Sequence, residues 1–541
     1  MSEAPENVRL IGGEMLLWSD ASCATDWGDA ALELVRRLLP AGGRVLLAGP
    51  HPPALVDEVA AHAATVATLL RSYPDACALA ERLPRLEVYC GDLAAFTAGA
   101  AYDLVLALDG LQRTHSAEAP APSWRGALAV LAGAVAPGGR LVLAVRNDLG
   151  VDRFVEARPG DREGSDAQWA PHGFDPTYPN GVGALGGELE SAGLAVEWRY
   201  SAYPGHEAPR ALLAREALDL PEALMVPLSG CGGDQVLVAD PLHLTRLAFS
   251  HGLGEDLAPL WLTVASRPPA DGARGAGDGQ RLPLGLVEDG TVVREIARAG
   301  EEWVTRRLPD GAAQPVPAGR LVEEVLVEAC VREDVRAVRE LLAGVAAWVE
   351  AGGDVTAAAD SLVWDGERFE AVTPGPAPAE IPSERAVFSR IAWRFAVRLL
   401  AAGHHHPWPW PQDPVRLALT LCDMAGRPCD QADLDRGRKL DAELGRPAEL
   451  GQAAPTYRDL IGARERLADQ LTAALARVAR LETRLTYRER ELTKARAKLK
   501  RARQRATAYR RTLGSQLSRR LTRRLARPRA VARKVLRRLS G

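Results

Sequence analysis

The sequence has few cysteines, no long apolar run and no leader pattern, and each absence excludes a class of protein. Its seven cysteines are scattered and include no C-x-x-C pair, which argues against a disulfide framework or a structural zinc site. No stretch of 18 or more apolar residues occurs, so we expect no segment to span a bilayer. The first residues lack the charged and apolar pattern of a signal peptide. These absences predict a reduced, cytoplasmic protein.

Length and composition predict several ordinary globular units. The chain has 541 residues, and at roughly 150 residues per domain this corresponds to three or four units. Hydrophobic residues at 47% and charged residues at 25% are typical of folded proteins, which excludes a disordered or collagen-like chain.

The net charge of -3 conceals a strong asymmetry. From Arg458 to the end there are 27 Lys and Arg against 6 Asp and Glu, a net charge of +21. The preceding residues carry 40 basic against 64 acidic side chains, a net charge of -24. The pattern indicates an acidic globular body with a basic tail that favours a polyanion, an anionic membrane or an acidic partner.

The first third of the chain alternates apolar runs with helix-like segments. Five runs have the continuous apolar character of buried strands: Arg44–Gly49, Thr65–Leu70, Leu86–Cys90, Asp103–Asp109 and Arg140–Val145. This alternation is typical of a parallel sheet with helices on both faces. We therefore predict an α/β fold with a Rossmann-like sheet, a second α+β domain and a long C-terminal coiled-coil helix.

Composition shifts divide the chain into five predicted parts. They are an N-terminal lead and helix (1–40), the α/β domain (41–220), an α+β domain (225–450), a coiled coil (457–513) and a basic amphipathic tail (514–541). Within the α+β part we expect short strands between Leu286 and Leu308, a long helical stretch at 319–350 and a helix at 386–402.

Residues 42–205 resemble a class I S-adenosylmethionine-dependent methyltransferase domain. The resemblance rests on Gly43–Gly49, Cys90-Gly91-Asp92, Tyr102–Asp109, Leu131–Leu143 and Leu189–Val196, the last of which leads to Tyr203-Pro204. The resemblance implies S-adenosylmethionine as cofactor. It places the cofactor beside Gly49, His51, Arg71, Ser72, Asp92 and Asp109.

Two of these positions depart from the family pattern. The first turn keeps only Gly49 and continues with prolines 50, 52 and 53, which lack N–H donors. The second strand ends in Arg71-Ser72, where the family has an acidic residue for the ribose hydroxyls. Arginine accepts no hydrogen bond, whereas Ser72 can. Binding and loss of binding both remain open at this point.

No side chain identifies itself as a catalytic base or a metal ligand. Asp109, His115 and Asn147 follow predicted strands, and His51 lies in the first loop, but each also suits a turn. The run His404-His405-His406 could bind a metal, although neighbouring side chains point in different directions. A Pro/Trp turn packed on a helix is the alternative, and we predict no metal site.

The stretch Asp354–Thr373 resembles the catalytic and metal-binding region of a kinase-like domain. Aligned by its hairpin, the places of the base Asp, the Asn and the metal-binding Asp hold Thr356, Ser361 and Thr373. Hydroxyls are poor magnesium ligands beside carboxylates. The resemblance therefore implies a degenerate kinase-like domain, with an ordinary α+β helper domain as the alternative.

The C-terminal part carries a heptad pattern and then a basic amphipathic one. Apolar residues occupy position a from Leu471 to Leu499 and most of position d, so we expect self-association or docking to a partner helix. Leu513, Leu517, Leu521 and Leu525 alternate with arginines, which favours an anionic membrane. Nucleic acid is the lesser alternative, because the tail lacks interleaved aromatics.

This order of parts resembles the chain-length-controlling methyltransferase/kinase proteins of bacterial surface polysaccharide synthesis, and the composition resembles that of actinobacterial proteins. The resemblance implies a methyltransferase acting on a sugar or glycan at the inner membrane face, with a membrane-bound glycosyltransferase as partner. The alternative is a non-catalytic scaffold of the same pathway, and a nucleic-acid methyltransferase is a third reading.

Overall fold

A computed structural model of the chain describes residues 5–21, 24–97, 99, 101–117, 122–155, 175–229, 239–269, 282–372, 375, 378–408, 413–444, 457–512, 514 and 516–523. The chain divides into two units, residues 1–458 and 459–541. The first unit holds all the strands of the described residues, and the described residues of the second are almost all helical.

The first six strands form a parallel sheet. They are β1 (Val8–Gly12), β2 (Arg44–Ala48), β3 (Thr65–Leu70), β4 (Glu87–Gly91), β5 (Tyr102–Ala107) and β6 (Val135–Arg146). Their order in the sheet is β1-β4-β3-β2-β5-β6, and all neighbours are parallel. The order reverses between β2 and β5, as in doubly wound mononucleotide-binding folds. The predicted Rossmann-like sheet is confirmed.

The same sheet continues as an antiparallel series. It is built from β7 (Ala195–Tyr203), β8 (Ala211–Ala214), β9 (Leu260–Ser266), β10 (Gly285–Asp289), β11 (Val292–Ala299), β12 (Glu302–Arg307) and β13 (Ala313–Pro315). Strand β9 lies between β6 and β7 and is antiparallel to both, and β8-β10-β11-β12-β13 follow beyond β7. The sheet thus runs past the 220–225 boundary expected from composition.

Helices cover both faces of the sheet. One face is packed by α1 (Asp29–Leu38), α2 (Pro53–His62) and α3 (Tyr73–Arg82), and the other by α4 (Trp124–Ala134), α6 (Val182–Ser191) and α7 (Pro241–Ser250). A short helix, α5 (Asp152–Val155), follows β6. Because the strands between these layers are buried on both sides, their residues are almost all apolar.

The rest of the first unit is largely helical and has its own apolar core. It contains α8 (Val322–Val331), α9 (Val335–Glu350), α10 (Glu384–Ala401), α11 (Pro414–Met424) and α12 (Gln431–Glu443), with a small sheet of β14 (Arg320–Leu321), β15 (Leu362–Trp364) and β16 (Phe369–Ala371). The predicted helical stretch at 319–350 is confirmed with one break. At that break Glu333 has a positive φ of 57°.

Helices α10 and α12 pack so closely that they tolerate only glycine at one contact. A Cβ on Gly437 would lie 2.9 Å from the Ala386 carbonyl oxygen and 3.0 Å from the Arg390 backbone nitrogen. We expect Gly437→Ala to lower the free energy of unfolding by about 1–3 kcal/mol, because backbone atoms must move apart.

The matched control is another helical glycine. A Cβ on Gly133 in α4 meets nothing within 4 Å, so Gly133→Ala should raise the free energy of unfolding by about 0.5–1 kcal/mol. Urea titration of both variants measures the two effects. Equal effects of the two substitutions would contradict the close packing of α10 against α12.

The second unit is dominated by helix α13 (Tyr457–Arg511), which begins just before it. Apart from the half-buried Ile461, its described side chains are exposed. They include Leu471, Val478, Leu485, Leu492 and Leu499, at 50–61% exposure. The predicted long C-terminal helix is confirmed. Among the described helices none is both long and apolar enough to cross a membrane. Residues 524–541 of the predicted basic tail lie outside the described part.

Candidate site at the carboxyl edge of the parallel sheet

Open α/β sheets bind ligands at the carboxyl ends of their strands, beside the point where strand order reverses. Here that point is the crevice between β2 and β5. All six residues predicted to contact a cofactor lie on loops or turns at this edge: Gly49, His51, Arg71, Ser72, Asp92 and Asp109. The sequence therefore brings them to one edge, and their contacts decide what the edge can bind.

The first turn, after β2, is tight and proline-stiffened. Gly49 has a φ of +87°, a conformation that favours glycine, and its N–H donates to the Leu69 carbonyl at 2.9 Å. Pro52 and Pro53 then start α2. The amide of Gly49 is thus used inside the sheet, and the two prolines offer no N–H to a ligand.

His51 reaches back onto the same turn. Its Nδ1 lies 2.9 Å from the Gly49 carbonyl oxygen, so Nδ1 carries the hydrogen and donates it. Its Nε2 is buried and has no hydrogen-bond partner among the described residues. Burial lowers the pKa of His51 to about 4, against smaller opposing effects of the Gly49 carbonyl and the Asp109 charge. The imidazole is therefore neutral at physiological pH.

We expect the imidazole of His51 to stay neutral from pH 8 down to about pH 5. Its unfolded pKa is near 6.5. Between pH 6.5 and 4 the unfolded chain thus binds more protons at this site, so stability falls as pH drops through that window. NMR titration of the His51 ring protons checks this, and His51→Gln should flatten the same part of the stability curve. A His51 signal that titrates near pH 6.5 would contradict the assignment.

The end of β3 holds a bidentate ion pair. Arg71 Nε and Nη2 donate to the two carboxylate oxygens of Asp20 at 2.8 and 2.6 Å, and Nη1 donates to the His115 carbonyl at 2.9 Å. The side chains of Arg71 and Asp20 are only 14% and 4% exposed. Burial acts to raise the pKa of Asp20, but hydrogen bonds from Arg71 and Trp18 and the Arg71 charge hold it below its usual value. Both oxygens of Asp20 and all three nitrogens of the Arg71 guanidinium thus have hydrogen-bond partners within the protein.

The neighbouring serine serves the helix that follows. Ser72 Oγ accepts from the Asp75 N–H at 3.2 Å, which caps the first turn of α3, and donates to the Trp18 carbonyl at 2.7 Å. Ser72 is 1% exposed. Its hydroxyl is therefore committed to the fold on both sides.

Asp92, after β4, also caps a turn. One carboxylate oxygen accepts from the Ala94 N–H at 2.7 Å and the other from the Ser116 N–H at 2.6 Å. His115 Nδ1 lies 3.6 Å from the same carboxylate. Burial lowers the pKa of His115, and the charge of Arg71 adds to this while Asp92 opposes it. This corner is a dense polar cluster with little exposed surface.

Asp109, after β5, is bound by the N-terminal lead and by its own loop. Its Oδ1 accepts from the backbone N–H and the hydroxyl of Thr25 at 2.8 and 2.9 Å. Arg113 donates to both oxygens at 2.7 and 2.6 Å. The carboxylate is 2% exposed, so it faces the protein and not solvent.

One segment makes most of these contacts. We call residues 13–27 the N-terminal strap, described at 13–21 and 24–27. Met15 pairs with Ser72 in an isolated parallel bridge, Asp20 binds Arg71, Thr25 binds Asp109, and Trp27 Nε1 donates to the Leu108 carbonyl at 2.9 Å. The strap therefore crosses the carboxyl edge from the end of β3 to the end of β5. The sequence showed it only as a lead and a helix.

The residues considered as a base lie in structural roles. Asn147 Nδ2 donates to the carbonyls of Asp256 and Ala258 at 2.6 and 2.9 Å, and its Oδ1 accepts from the Leu149 N–H. Asn147 thus fastens the loop after β6, in agreement with the turn alternative.

Sequence reasoning missed a histidine–aspartate pair at the same edge. His206, in the β7–β8 loop, has Nδ1 2.6 Å from Asp152 Oδ2, and Asp152 is 5% exposed in its side chain. Since β7 runs parallel to β6, the loops after both strands lie at the carboxyl edge. An aspartate that fixes one imidazole nitrogen leaves the other for proton transfer. The 54-residue separation offered no local signal.

The three adjacent histidines separate onto different partners. His404 Nε2 lies 2.8 Å from Asp240, His405 Nε2 lies 2.7 Å from Glu333, and the His406 ring packs on Trp408 with centroids 5.8 Å apart. No group of three or more metal-ligating side chains occurs among the described residues. His404 and His405 thus connect the 404–408 turn to other parts of the chain, and His406 packs within the turn.

Two of the three hydroxyls of the kinase-like stretch, those of Thr356 and Ser361, are hydrogen-bonded within the chain. Thr356 Oγ1 donates to Asp354 Oδ1 at 2.8 Å and accepts from the Gly375 N–H at 2.7 Å. Ser361 lies in the turn before β15, and Thr373 lies outside the described residues. The predicted kinase origin of this part stays a prediction.

Comparison with known proteins finds similarity only among solved structures. No family model and no curated protein matches the sequence. The N-methyltransferase NodS of Bradyrhizobium japonicum is 15% identical, with 44% of this chain and 95% of that chain covered and a TM-score of 0.24. The complex of the same enzyme with S-adenosylhomocysteine is 22% identical, with 22% of this chain and 62% of that chain covered and a TM-score of 0.19. An S-adenosylmethionine-dependent methyltransferase of Mesorhizobium loti is 17% identical over 44% and 99%, with a TM-score of 0.27.

Scores this low carry no argument about what the chain binds or does. The class of protein is defined instead by the strand order of its own sheet. It is a Rossmann-like α/β protein with a second, helical part and a long basic helix.

Proposed function

We propose that this chain is a non-catalytic scaffold, built on a methyltransferase-like domain, that acts in bacterial cell-surface polysaccharide synthesis. The observation that supports the loss of catalysis is the bidentate Asp20–Arg71 pair at the end of β3. That position is where the resemblance places the acceptor for the cofactor ribose.

The donor set at this position does not fit an adenosyl group. Ribose hydroxyls need an acceptor, whereas a guanidinium only donates, and the donors of Arg71 already bind Asp20 and His115. S-adenosylmethionine also carries a positive sulfonium, which a neighbouring guanidinium would repel. We therefore derive no methyl-transfer step through this pocket.

The N-terminal strap also binds Asp109, the second residue that was expected to contact the cofactor. Asp109 at the end of β5 is 2% exposed and accepts from both Thr25 and Arg113. A ligand at the crevice would have to replace these bonds, and unpaired buried carboxylates cost several kcal/mol. When the polar side chains at a crevice bind one another, the domain is better suited to binding partners through its outer surfaces.

The scaffold's setting is supported by the order of parts and by charge. The body is acidic and residues from Arg458 onward carry +21. A basic helix next to an anionic membrane gains about 1 kcal/mol per basic residue near the surface. We propose that the tail holds the chain at the inner membrane face, near a membrane-bound glycosyltransferase.

Titration of the full chain with S-adenosylmethionine and S-adenosylhomocysteine tests the loss of cofactor. We expect no saturable heat in calorimetry and no change of melting temperature at millimolar ligand. Stoichiometric binding of either ligand would overturn the non-catalytic reading. Co-sedimentation with phosphatidylserine vesicles, with phosphatidylcholine vesicles and duplex DNA at the same salt as controls, tests the membrane partner. Preference for DNA would favour the nucleic-acid alternative.

We propose that α13 joins two or more copies of the chain. An exposed stripe of leucine and valine at heptad spacing cannot be buried by a single helix. Val478→Glu with Leu485→Glu should convert the assembly to a monomer at micromolar concentration, as light scattering after gel filtration would show. Thr483→Glu with Thr486→Glu adds the same charge off the stripe and should leave the mass unchanged. A monomeric unmodified chain would refute self-association.

The second candidate is a methyltransferase that acts on a sugar or glycan. The observation that favours it is the His206–Asp152 pair at the carboxyl edge. Asp152 holds Nδ1 of His206, and Nε2, which lies 3.8 Å from Glu207 Oε1, could accept a proton from a hydroxyl. This candidate requires the strap to leave the crevice. Transfer of labelled methyl groups to a glycan acceptor that is lost in His206→Asn, with an unchanged melting temperature, would establish it.

A further inference from the structure

Two cysteines meet at the turn that joins α11 to α12. Cys422 lies in α11 and is fully buried, and Cys429 lies just before α12 and is half-buried. Both are free thiols, and their side chains are hydrogen-bonded to each other. We call them the thiol pair. Because α11 and α12 both pack on α10, the thiol pair lies where the helical core meets the surface.

The backbone of the turn brings the two thiols together. The Arg427 N–H donates to the Cys422 carbonyl at 3.0 Å, and Gly426 before it has a φ of +72°, which is the Schellman way of ending a helix. The chain thereby folds back over the last turn of α11. Two residues later, Cys429 Sγ lies 3.4 Å from the Arg427 carbonyl oxygen and 3.8 Å from that of Arg385 in α10. The fold of the turn therefore sets the position of both sulfurs.

The two thiols differ in acidity as an attacking and a resolving cysteine need to. The hydrogen bond with Cys422 lowers the pKa of Cys429, and the charge of Arg385 adds to this effect. Burial and two nearby carboxylates oppose it but do not cancel it. The same hydrogen bond and burial raise the pKa of Cys422. The thiolate therefore forms first at Cys429, which is also the more exposed thiol, and cysteine oxidation follows thiolate character and exposure.

We propose that the thiol pair is an oxidation site, at which a hydroperoxide converts Cys422 and Cys429 into a disulfide. The Cys429 thiolate attacks one peroxide oxygen and the O–O bond breaks. Cys429 becomes a sulfenic acid, and the other oxygen leaves as hydroxide or alkoxide and takes up a proton. The Cys422 sulfur then attacks the Cys429 sulfur, the S–O bond breaks, and the hydroxyl leaves as water with the Cys422 proton. The peroxide thus accepts the two electrons that the thiols lose.

The proposal is independent of the proposed scaffold function, because it concerns only the helical part of the first unit. The disulfide would fasten the end of α11 to the start of α12. Helix α12 carries Asp441, which binds the buried Arg390 of α10. Oxidation therefore acts beside the contact that organises the helical part.

Peptide mapping of the full chain before and after hydrogen peroxide tests the proposal. Trypsin cleaves after Arg416 and Arg436 but not between Arg427 and Pro428, so both cysteines lie in one peptide. After alkylation of free thiols, we expect the oxidised peptide to carry no alkyl group and to be lighter by two hydrogen atoms. Dithiothreitol should restore both thiols. The internal control is Cys330, a thiol of the same core whose pKa burial raises to about 12, and it should stay unmodified.

Three results would overturn the proposal. In the first, the peptide keeps both thiols at peroxide concentrations that oxidise free cysteine. In the second, Cys429 gains oxygen and no disulfide forms. In the third, Cys429 forms its disulfide with a second chain.

Substitution of each cysteine separates the two roles. In Cys422→Ser the resolving thiol is absent, so Cys429 should stop at the sulfenic acid and react with dimedone about tenfold more than in the unchanged chain. In the matched variant Cys429→Ser, Cys422 should stay unmodified. If Cys422→Ser does not fold, Cys422→Ala carries the same expectation. Equal dimedone labelling of the unchanged chain and the Cys422 variant would refute the role of Cys422.

Discussion

Asp20→Ala should lower the free energy of unfolding by about 3–5 kcal/mol. The substitution leaves the guanidinium of Arg71 mostly buried with no carboxylate, and breaking a buried pair from one side has this cost. It also removes the strap's side-chain ion pair at the end of β3, where the Met15–Ser72 bridge remains. Chemical denaturation with circular dichroism measures the loss.

The control is an exposed pair of the same chemistry. Arg82 and Asp57 also form an ion pair, but their side chains are 39% and 53% exposed. Asp57→Ala should therefore cost less than about 1 kcal/mol. Similar losses in Asp20→Ala and Asp57→Ala would show that burial of the Asp20–Arg71 pair has no energetic weight.

The same pair fixes a pH dependence. The pKa of Asp20 is below its usual value in the folded chain, so the unfolded state binds the proton first as pH falls. The stability that Asp20 contributes is therefore complete above its unfolded pKa, near 4, and is lost as pH falls through the lower folded value. In Asp20→Asn, the free energy of unfolding should depend less on pH in that acid range, and its pH dependence elsewhere should be unchanged.

Arg390→Ala should be at least as damaging, because this side chain organises the helical part. Arg390 is fully buried in α10, and its Nε donates to Asp441 Oδ1 at 2.6 Å. Its other nitrogens donate to the carbonyls of Val355, Thr356 and Ala357 at 3.0, 2.7 and 3.1 Å. Removal leaves a buried carboxylate and three carbonyls with lost donors, and a cavity as well.

We expect Arg390→Ala to lower the free energy of unfolding by about 3–5 kcal/mol or more. Increased proteolysis of the helical part under native conditions would show this loss. Arg427→Ala is the matched control, because Arg427 pairs with Glu350 at the surface. Protease-resistant Arg390→Ala protein with an unchanged melting temperature would contradict the role of Arg390. If proteolysis of Arg390→Ala is confined to residues after 320, the sheet folds independently of the helical part.

The fold was predictable where the signal is local. Apolar runs such as Arg44–Gly49 and Thr65–Leu70 matched β2 and β3 closely. The short strands expected between Leu286 and Leu308 correspond to most of β10 and to all of β11 and β12. A continuous apolar run by itself indicates a buried strand. Strand β9 was not recognised, because nothing in Leu260–Ser266 shows that it pairs between β6 and β7. Its partners lie 114 to 126 residues earlier in β6 and 58 to 71 residues earlier in β7.

The sequence predicted where the candidate site lies but not the partners of its side chains. The position of Gly49, Arg71, Asp92 and Asp109 at one edge follows from strand order, and the missing acid at Arg71 was visible in the sequence. The partner of Arg71 was not, because Asp20 lies 51 residues earlier in a lead without a motif. The His206–Asp152 pair was hidden for the same reason.

By itself the sequence determined the class of the sheet, the long C-terminal helix and the charge division between body and tail, because periodicity and composition act over a few residues. Only the tertiary structure decided that the N-terminal strap crosses the carboxyl edge of the sheet and pairs with Arg71 and Asp109 there. Such pairings depend on which loops the folded sheet brings within hydrogen-bond distance, and sequence spacing does not encode that distance.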